Sequence, residues 1–466
     1  MISNFELKGQ WFLSSNKDNR VHGSLFYDSN DGIVLELFES FSENQYFSEL
    51  RTDEIILGVT NDSKQVTLYN CIVTKTGGTT LVVGEEAGIP ITKYRINYLL
   101  IGVHIYNVDD FKFNTISCEI FNLDEWVGIS GFDIKNDREN LEVSVNYKLP
   151  SPIEFKIDGT TSGTLAFLAK LPTLFAYQKD ISIIQRLVFE AKTNEETSLE
   201  ELLSYIYKFQ TFLILGLYKS TFFTSIKIKG DRHIENYGDK SDRKKIDVYF
   251  QTISNNDNSI KPIYYYEMFF SYRSIQDDFP IIIKNWFEKY LLLESSINLL
   301  IEQFYNDNLF TTNTFLNLAQ AAETFHARIH NHKKIPKDDY KIMKEEILEV
   351  VSQKHHKWLN EQFNFGNNLN LHKRLNELVD KYSSKTLDKI IGNKEKFILQ
   401  VKHSRNYYTH YSKSSEKNAL KGKELMFLSK KLQALLVCAI LVEAGFTKEK
   451  INVLLDNIKW RLNIIQ

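Results

Sequence analysis

Lys394-Glu-Lys-Phe-Ile-Leu-Gln-Val-Lys-His-Ser-Arg-Asn-Tyr-Tyr-Thr-His-Tyr411 decides how the second half of the chain is read. Phe397, Val401, Ser404 and Tyr408 recur at spacings of three and four, the period of one helix face. The same period runs on both sides of it. Upstream, Phe315, Ala319, Ala322, His326 and Ile329 form one stripe; downstream, Leu425, Leu428, Leu432, Leu435, Ala439 and Val442 form another. Helices are expected at 281–305, 314–331, 337–353, 370–382, 394–411, 424–444 and 447–464. Pro280 suits a first helical turn, which has no use for its missing N–H. Gly445 is a natural stop, and Thr447 can cap the helix that follows. Residues 281–466 therefore read as an all-α helical bundle.

The first half has a different period. Gly23–Tyr27, a turn at Asp31-Gly32, and Ile33–Leu37 read as strand, turn and strand. Val66–Val73 follows a turn at Asn61-Asp62-Ser63, and Gly77-Gly78 breaks the chain again. Tyr98–Tyr106 reads as a fully buried strand. Residues 1–150 are thus a β-rich domain, a sandwich or a barrel-like sheet. Residues 151–280 are a mixed α/β region continuing that module. In it Ser198 and Glu201 open a helix with the pattern of a capping box. Stretches 221–229 and 244–252 read as strands, 231–243 as a charged surface loop, and the apolar 164–175 matches neither period. The expected class is α+β multidomain.

Composition excludes several functions. A 466-residue chain with 43% hydrophobic and 25% charged residues is ordinary globular protein, and 7 prolines with 20 glycines leave no room for long disordered linkers. Cys71, Cys118 and Cys438 have neither metal nor disulfide spacing. The start, MISNFELKGQ, lacks the pattern of a signal segment. The longest apolar runs, such as Ala434–Val442, fall short of the ~20 residues that span a bilayer. These features lead to the expectation of a cytoplasmic protein with no membrane partner. Net charge is only −2, yet residues 385–431 hold 12 Lys/Arg against 4 Asp/Glu. Such a field marks either a phosphate-bearing partner or a solvated helical face.

Arg405 and His410 sit inside that field. Histidine exchanges protons near neutral pH. Arginine offers a permanent, forked charge to a phosphate. Together they suit metal-free phosphodiester cleavage of RNA, giving a 2′,3′-cyclic phosphate and a 5′-OH. The bland reading is a surface or buried pair without chemistry. Residues five apart on a helix lie about 140° apart, so one copy does not bring the two together. Asn406 and His410 share a face. A two-fold dimer, with this helix meeting its copy, would supply the missing groove. Lys402, Lys413 and Lys417, with Lys421 and Lys423, are candidate phosphate contacts, and His403 lies close to the same cleft. His326, His330 and His332 have a spacing that a metal could use, but no neighbouring cysteine or intervening glutamate supports one. The expectation is that His326 packs, and that His330 and His332 lie at a helix end that favours their cationic form. No metal or cofactor is expected.

The motif Arg405-Asn406-x-x-x-His410 in an all-α domain resembles the signature of HEPN domains. Phe315–Glu323 resembles an early HEPN helix that contacts the motif. The first half resembles the N-terminal region of ApeA-type anti-phage proteins. The matching segments are Gly9-Gln-Trp11-Phe, Val21-His-Gly23-Ser-Leu, Ile55–Thr60 with Val66–Cys71, Leu99–His104 and Leu123–Trp126. This resemblance implies a dimeric HEPN endoribonuclease of abortive-infection defence, with Arg405 and His410 catalytic. Asn406 and Glu323 would support them. Tyr407 and Tyr408 stand where the family has small or aliphatic residues, and they would either shape the groove or stack on bases. Structured RNA such as tRNA is the expected substrate. The first half would sense a phage-derived trigger. The alternative is a non-catalytic sensor whose helical domain serves only as a dimerisation or RNA-binding scaffold.

Overall fold

The computed structural model describes residues 2–41, 52–76, 91–173, 179–237, 240–252, 261–305, 311–330 and 332–462. The Gly77-Gly78 break lies outside these, as does the end of the unassigned stretch at 174–175. The chain divides into two compact units, Met1–Pro280 and Ile281–Gln466.

The first unit is built on one antiparallel sheet. Its strands are β1 (Phe5–Leu13), β2 (Asn16–Asp28), β3 (Gly32–Leu37), β4 (Thr52–Thr60), β5 (Gln65–Thr76), β6 (Thr92–Ile101) and β7 (Lys112–Ile120). After a short helix α1 (Leu123–Val127) come β8 (Phe132–Asp137), β9 (Glu142–Tyr147), β10 (Ile153–Lys156), β11 (Thr161–Lys170) and β12 (Ile184–Ser198). The helix α2 (Leu199–Leu217) precedes β13 (Phe223–Lys229), β14 (Ile234–Tyr237), β15 (Lys240–Arg243) and β16 (Ile246–Tyr249). Strand order is β10-β11-β12-β7-β13-β16-β6-β3-β2-β1-β4-β5, and β5 pairs back onto β6. That last pairing closes β6, β3, β2, β1, β4 and β5 into a barrel. Of the two arrangements the turn spacing allows, this end of the sheet is the barrel. β6 serves both halves: Thr92–Ile96 pair with β3, and Leu99–Ile101 pair with β16. Because β7 lies between β12 and β13, residues 112–120 share one sheet with residues 184–198 and 223–229.

Alternation of side chains fills the barrel with Trp11, Leu25, Tyr27, Ile33, Leu35, Ile56, Leu68, Tyr94 and Leu99. Gly58 is required there, because a Cβ on it would lie 2.3 Å from the Trp11 ring. A second aromatic core surrounds Trp126, with Phe209, Phe212, Phe270 and Tyr272 as neighbours. Its indole N–H donates to the Phe270 carbonyl at 2.9 Å. α2, packed on β7 and β12, is buried along most of its length. Ser198 caps it by accepting from the Glu201 N–H at 3.2 Å. The other half of the expected capping box is not made: the Glu201 carboxylate takes the Thr197 hydroxyl instead.

Two readings are corrected here. The stretch 98–106 is not one buried strand. β6 stops at Ile101, Gly102 turns the chain at φ +114°, and Thr67 ties the irregular continuation through the Val103 carbonyl (2.7 Å) and the Ile105 N–H (3.0 Å). The charged segment 231–243 is not a plain loop, since Ile234–Tyr237 and Lys240–Arg243 pair as a hairpin. Backbone pairing holds a strand there without any apolar alternation to betray it.

The second unit is the expected bundle. Its helices follow α3 (Tyr272–Ile275) and are α4 (Phe279–Tyr305), α5 (Thr311–His330), α6 (Lys337–Val350), α7 (His356–Gly366), α8 (Leu371–Tyr382), α9 (Lys385–Ile391), α10 (Lys394–His410), α11 (Lys413–Glu416), α12 (Gly422–Glu443) and α13 (Lys448–Leu462). Seven match expected helices within a few residues at either end; α7, α9 and α11 were not anticipated. Side-chain caps fix the starts: Asn370, Ser384, Asn393 and Thr447 accept from the N–H three residues on. Gly445, at φ +103°, ends α12. α12 packs on α5, α8, α9, α10 and α13. By length and composition it is apolar enough to cross a membrane, but 67% of that stretch is buried in the bundle, so it is the core helix. α6 and α7 bury no residue fully and lean on one another, Tyr340 donating to the Phe363 carbonyl at 2.9 Å. Trp286 is buried and Trp358 is exposed.

Candidate active site on the α10 helix

α10 buries Phe397, Ile398, Val401 and Ser404 against the bundle. Arg405, next to that seam, turns toward α5, where its Nη2 donates to Glu323 Oε2 at 3.1 Å. Both side chains are about one-third exposed, at 33% and 29%, so solvent reaches the guanidinium from one side. Asn406 is half-buried, and its side chain makes no hydrogen bond among the described residues. His410 is the last residue of α10 and is exposed. The fold thus joins Arg405 to Glu323. It leaves His410 on another side of the same helix, as the 140° separation requires.

Beyond His410 the chain reverses sharply. Tyr411 caps α10 in the left-handed region, at φ 48° and ψ 34°. Lys413 and Lys417 are exposed on the following segment. That segment is pinned back onto α10 at Leu420. The Leu420 N–H donates to Ser404 Oγ at 3.0 Å, and the Tyr408 hydroxyl donates to the Leu420 carbonyl at 2.9 Å. Ser404 and Tyr408 are one turn apart, so one helix face holds both backbone groups of a single residue. Burial pushes the Tyr408 phenol up. Tyr408 also meets Phe315 edge-on. Its hydroxyl is thereby committed to the Leu420 carbonyl.

Tyr407, Tyr408 and Tyr411 form a mutual edge-to-face cluster with centroids 5.0–6.0 Å apart. Lys421 Nζ lies 5.7 Å from the Tyr407 ring and pairs with Glu416 at 2.7 Å. That pair holds the Glu416 carboxyl low and the Lys421 ammonium high. His403 and Lys402 are half-buried on α10. Sequence reasoning missed Leu420 as the anchor and Tyr411 as part of the cluster. The available signal was two hydroxyl residues, Ser404 and Tyr408, on an otherwise apolar stripe, where each needs a partner.

His326 and His330 lie one and two turns beyond Glu323 on α5, and His332 follows the end of that helix. His326 Nε2 is 2.7 Å from Glu377, and His332 Nε2 is 3.1 Å from the same carboxylate. His326 stacks on His330 at 4.7 Å. Burial, the largest cause, holds both rings below the ordinary histidine range, which runs against the expected cationic form of His330. Among the described residues no group of three or more His, Cys, Asp or Glu is arranged to hold a metal.

Two family models match. ApeA N-terminal domain 1 covers residues 6–286, more than half of the chain. Apea-like HEPN covers residues 316–450, which include Glu323, Arg405, His410 and Leu420. No curated protein and no solved structure matches.

Proposed function

This chain belongs to the ApeA family, HEPN nucleases of anti-phage defence, and from that premise we propose that it is a metal-independent endoribonuclease acting as a homodimer. The observation that carries the reading is Arg405-Asn406-x-x-x-His410 at the exposed end of α10, inside the region matched by the HEPN model. Two α10 ends related by a two-fold axis would put Arg405 of one copy opposite His410 of the other. In that groove the 2′-oxygen of a ribose attacks its own 3′-phosphorus. His410 takes the 2′-OH proton, the bond from phosphorus to the 5′-oxygen breaks, and that oxygen leaves as a hydroxyl after receiving a proton. Arg405, oriented by Glu323, neutralises charge gathering on the phosphoryl oxygens. The products carry a 2′,3′-cyclic phosphate and a 5′-OH. Asn406 shares the His410 face as a supporting residue, with Tyr407 and His403 flanking it. Lys402, Lys413 and Lys417 contact phosphates without reading sequence. The first unit responds to a phage-derived trigger in the cytoplasm, and structured RNA such as tRNA is the substrate.

The test is sequencing of RNA ends from cells induced for the wild type, Arg405→Ala and His410→Ala, repeated with purified protein in chelator. Cleavage that disappears in both variants supports the reading. Cleavage at the wild-type rate in both sinks it, and a wild type that binds RNA yet never cuts it favours the scaffold alternative.

A further inference from the structure

We propose that Tyr411 is the base-stacking platform of this site, selecting RNA in which the nucleotide beside the scissile phosphate is unpaired; the inference rests on the ribonuclease reading above. Three observations meet at this residue. Tyr411 follows His410 directly and ends α10 in the left-handed region, at φ 48°. Glycine is the usual residue for such a position, because any Cβ is crowded there. The same chain uses glycine after α12, at Gly445. One other tyrosine, Tyr218, ends a helix in this conformation, at φ 51°. Its ring is half-buried and packs edge-on against Phe269, which accounts for it. Tyr411 is instead 64% exposed. Its contacts with Tyr407 and Tyr408 therefore leave most of the residue open to solvent, in a costly backbone conformation beside His410.

The surroundings say what such a ring would meet. Tyr407 and Tyr408 support it from one side at 5.4 and 6.0 Å. Tyr408 is itself fixed by its bond to Leu420. Lys413 is exposed two residues on, and Lys421 lies over Tyr407. A ribose-phosphate strand drawn along these ammonium groups brings bases to the tyrosine cluster. An aromatic face accepts any base, but only one lifted out of a duplex. The ring would select for an unpaired nucleotide, without sequence preference.

Glycine at 411 makes a clean test, because it removes the ring and suits the backbone. Full-length wild type, Tyr411→Gly and Tyr411→Phe are compared by fluorescence anisotropy. The probe is a single-stranded oligoribonucleotide made uncleavable by 2′-deoxy substitution, tested alone and annealed to its complement. Tyr411→Gly should keep or raise the melting temperature and weaken single-strand binding by roughly five- to hundredfold. The loss on the duplex should be smaller, and Tyr411→Phe should restore single-strand binding. Equal losses on single strand and duplex overturn the proposal, as does no loss at all. A Tyr411→Gly protein that sediments as a smaller species assigns the ring to a contact between copies and also overturns it. Because the probe is not cut, a failure of the ribonuclease reading shows separately, as a wild type that leaves the all-ribose oligonucleotide intact.

Discussion

Glu443 gives the sharpest quantitative expectation. Its carboxylate, at the end of α12, accepts from Lys289 of α4 at 2.8 Å and from Lys381 and Tyr382 of α8 at 3.1 and 2.8 Å. Burial alone would push the carboxyl up, but the three donors outweigh it and bring it down from 4.5 to about 2. That gap corresponds to roughly 3 kcal/mol at neutral pH. Lys289 and Lys381 are 41% and 43% exposed, so screening reduces the expected contribution to about 2 kcal/mol. In Glu443→Gln the helical unit should lose that amount at pH 7, or about 4–8 °C in melting temperature for a unit of this size. The folded-state value lies below the unfolded one. The stabilisation is therefore complete above about pH 5 and is lost as pH falls through 4.5 toward 2. By pH 3.5 the difference between the two proteins should have shrunk by roughly 1 kcal/mol. Buried His326, held below the ordinary histidine range, destabilises both proteins alike on acidification; half-buried His330 is also held down but is raised by Glu443, so its loss is somewhat larger in Glu443→Gln and works against the shrinkage. The assay is urea unfolding followed by the far-ultraviolet helix signal at a series of pH values. A difference that stays constant from pH 7 to 3.5, or one under about 0.5 kcal/mol at pH 7, refutes the reasoning.

Other perturbations have separable outcomes. Glu323→Gln removes an ion pair about one-third exposed and should cost at most about 1 kcal/mol; the RNA cleavage rate should nevertheless fall by tenfold or more, because Arg405 loses its orientation. Equal melting and equal rate would remove Glu323 from the site. Tyr408→Phe keeps the ring but frees the Leu420 carbonyl, costing about 1 kcal/mol. Trypsin should then cut faster at Lys413 and Lys417, and an unchanged cleavage pattern counts against the bracket. Gly58→Ala forces a methyl into the Trp11 ring and should destabilise the barrel by about 1–3 kcal/mol or more. Near-ultraviolet dichroism and a urea melt of the first unit would show it, and a wild-type melt would contradict the packing described.

Local pattern was enough to reveal the helices of the bundle, because each buries a stripe whose 3.6-residue period is written in adjacent residues. The capping residues of α2 and α13 and the stop at Gly445 follow from chemistry confined to one turn. The order of motifs along the chain likewise disclosed the ApeA and HEPN resemblance. The first half was legible only as strands. Closure of β5 onto β6, and β7 lying between β12 and β13, depend on pairings between residues tens of positions apart, which no local period encodes. The charged hairpin of β14 and β15 stayed hidden because it is held by backbone bonds rather than by an apolar face. At the site, sequence spacing alone separated Arg405 from His410. Tertiary structure alone decided the rest. It gave the expected support of Glu323 its form, an ion pair with Arg405 across two helices, and it fixed Tyr408 through the backbone of Leu420. It also left Tyr411 exposed in a left-handed turn, a conformation that its residue type disfavours and that only the surrounding chain can impose.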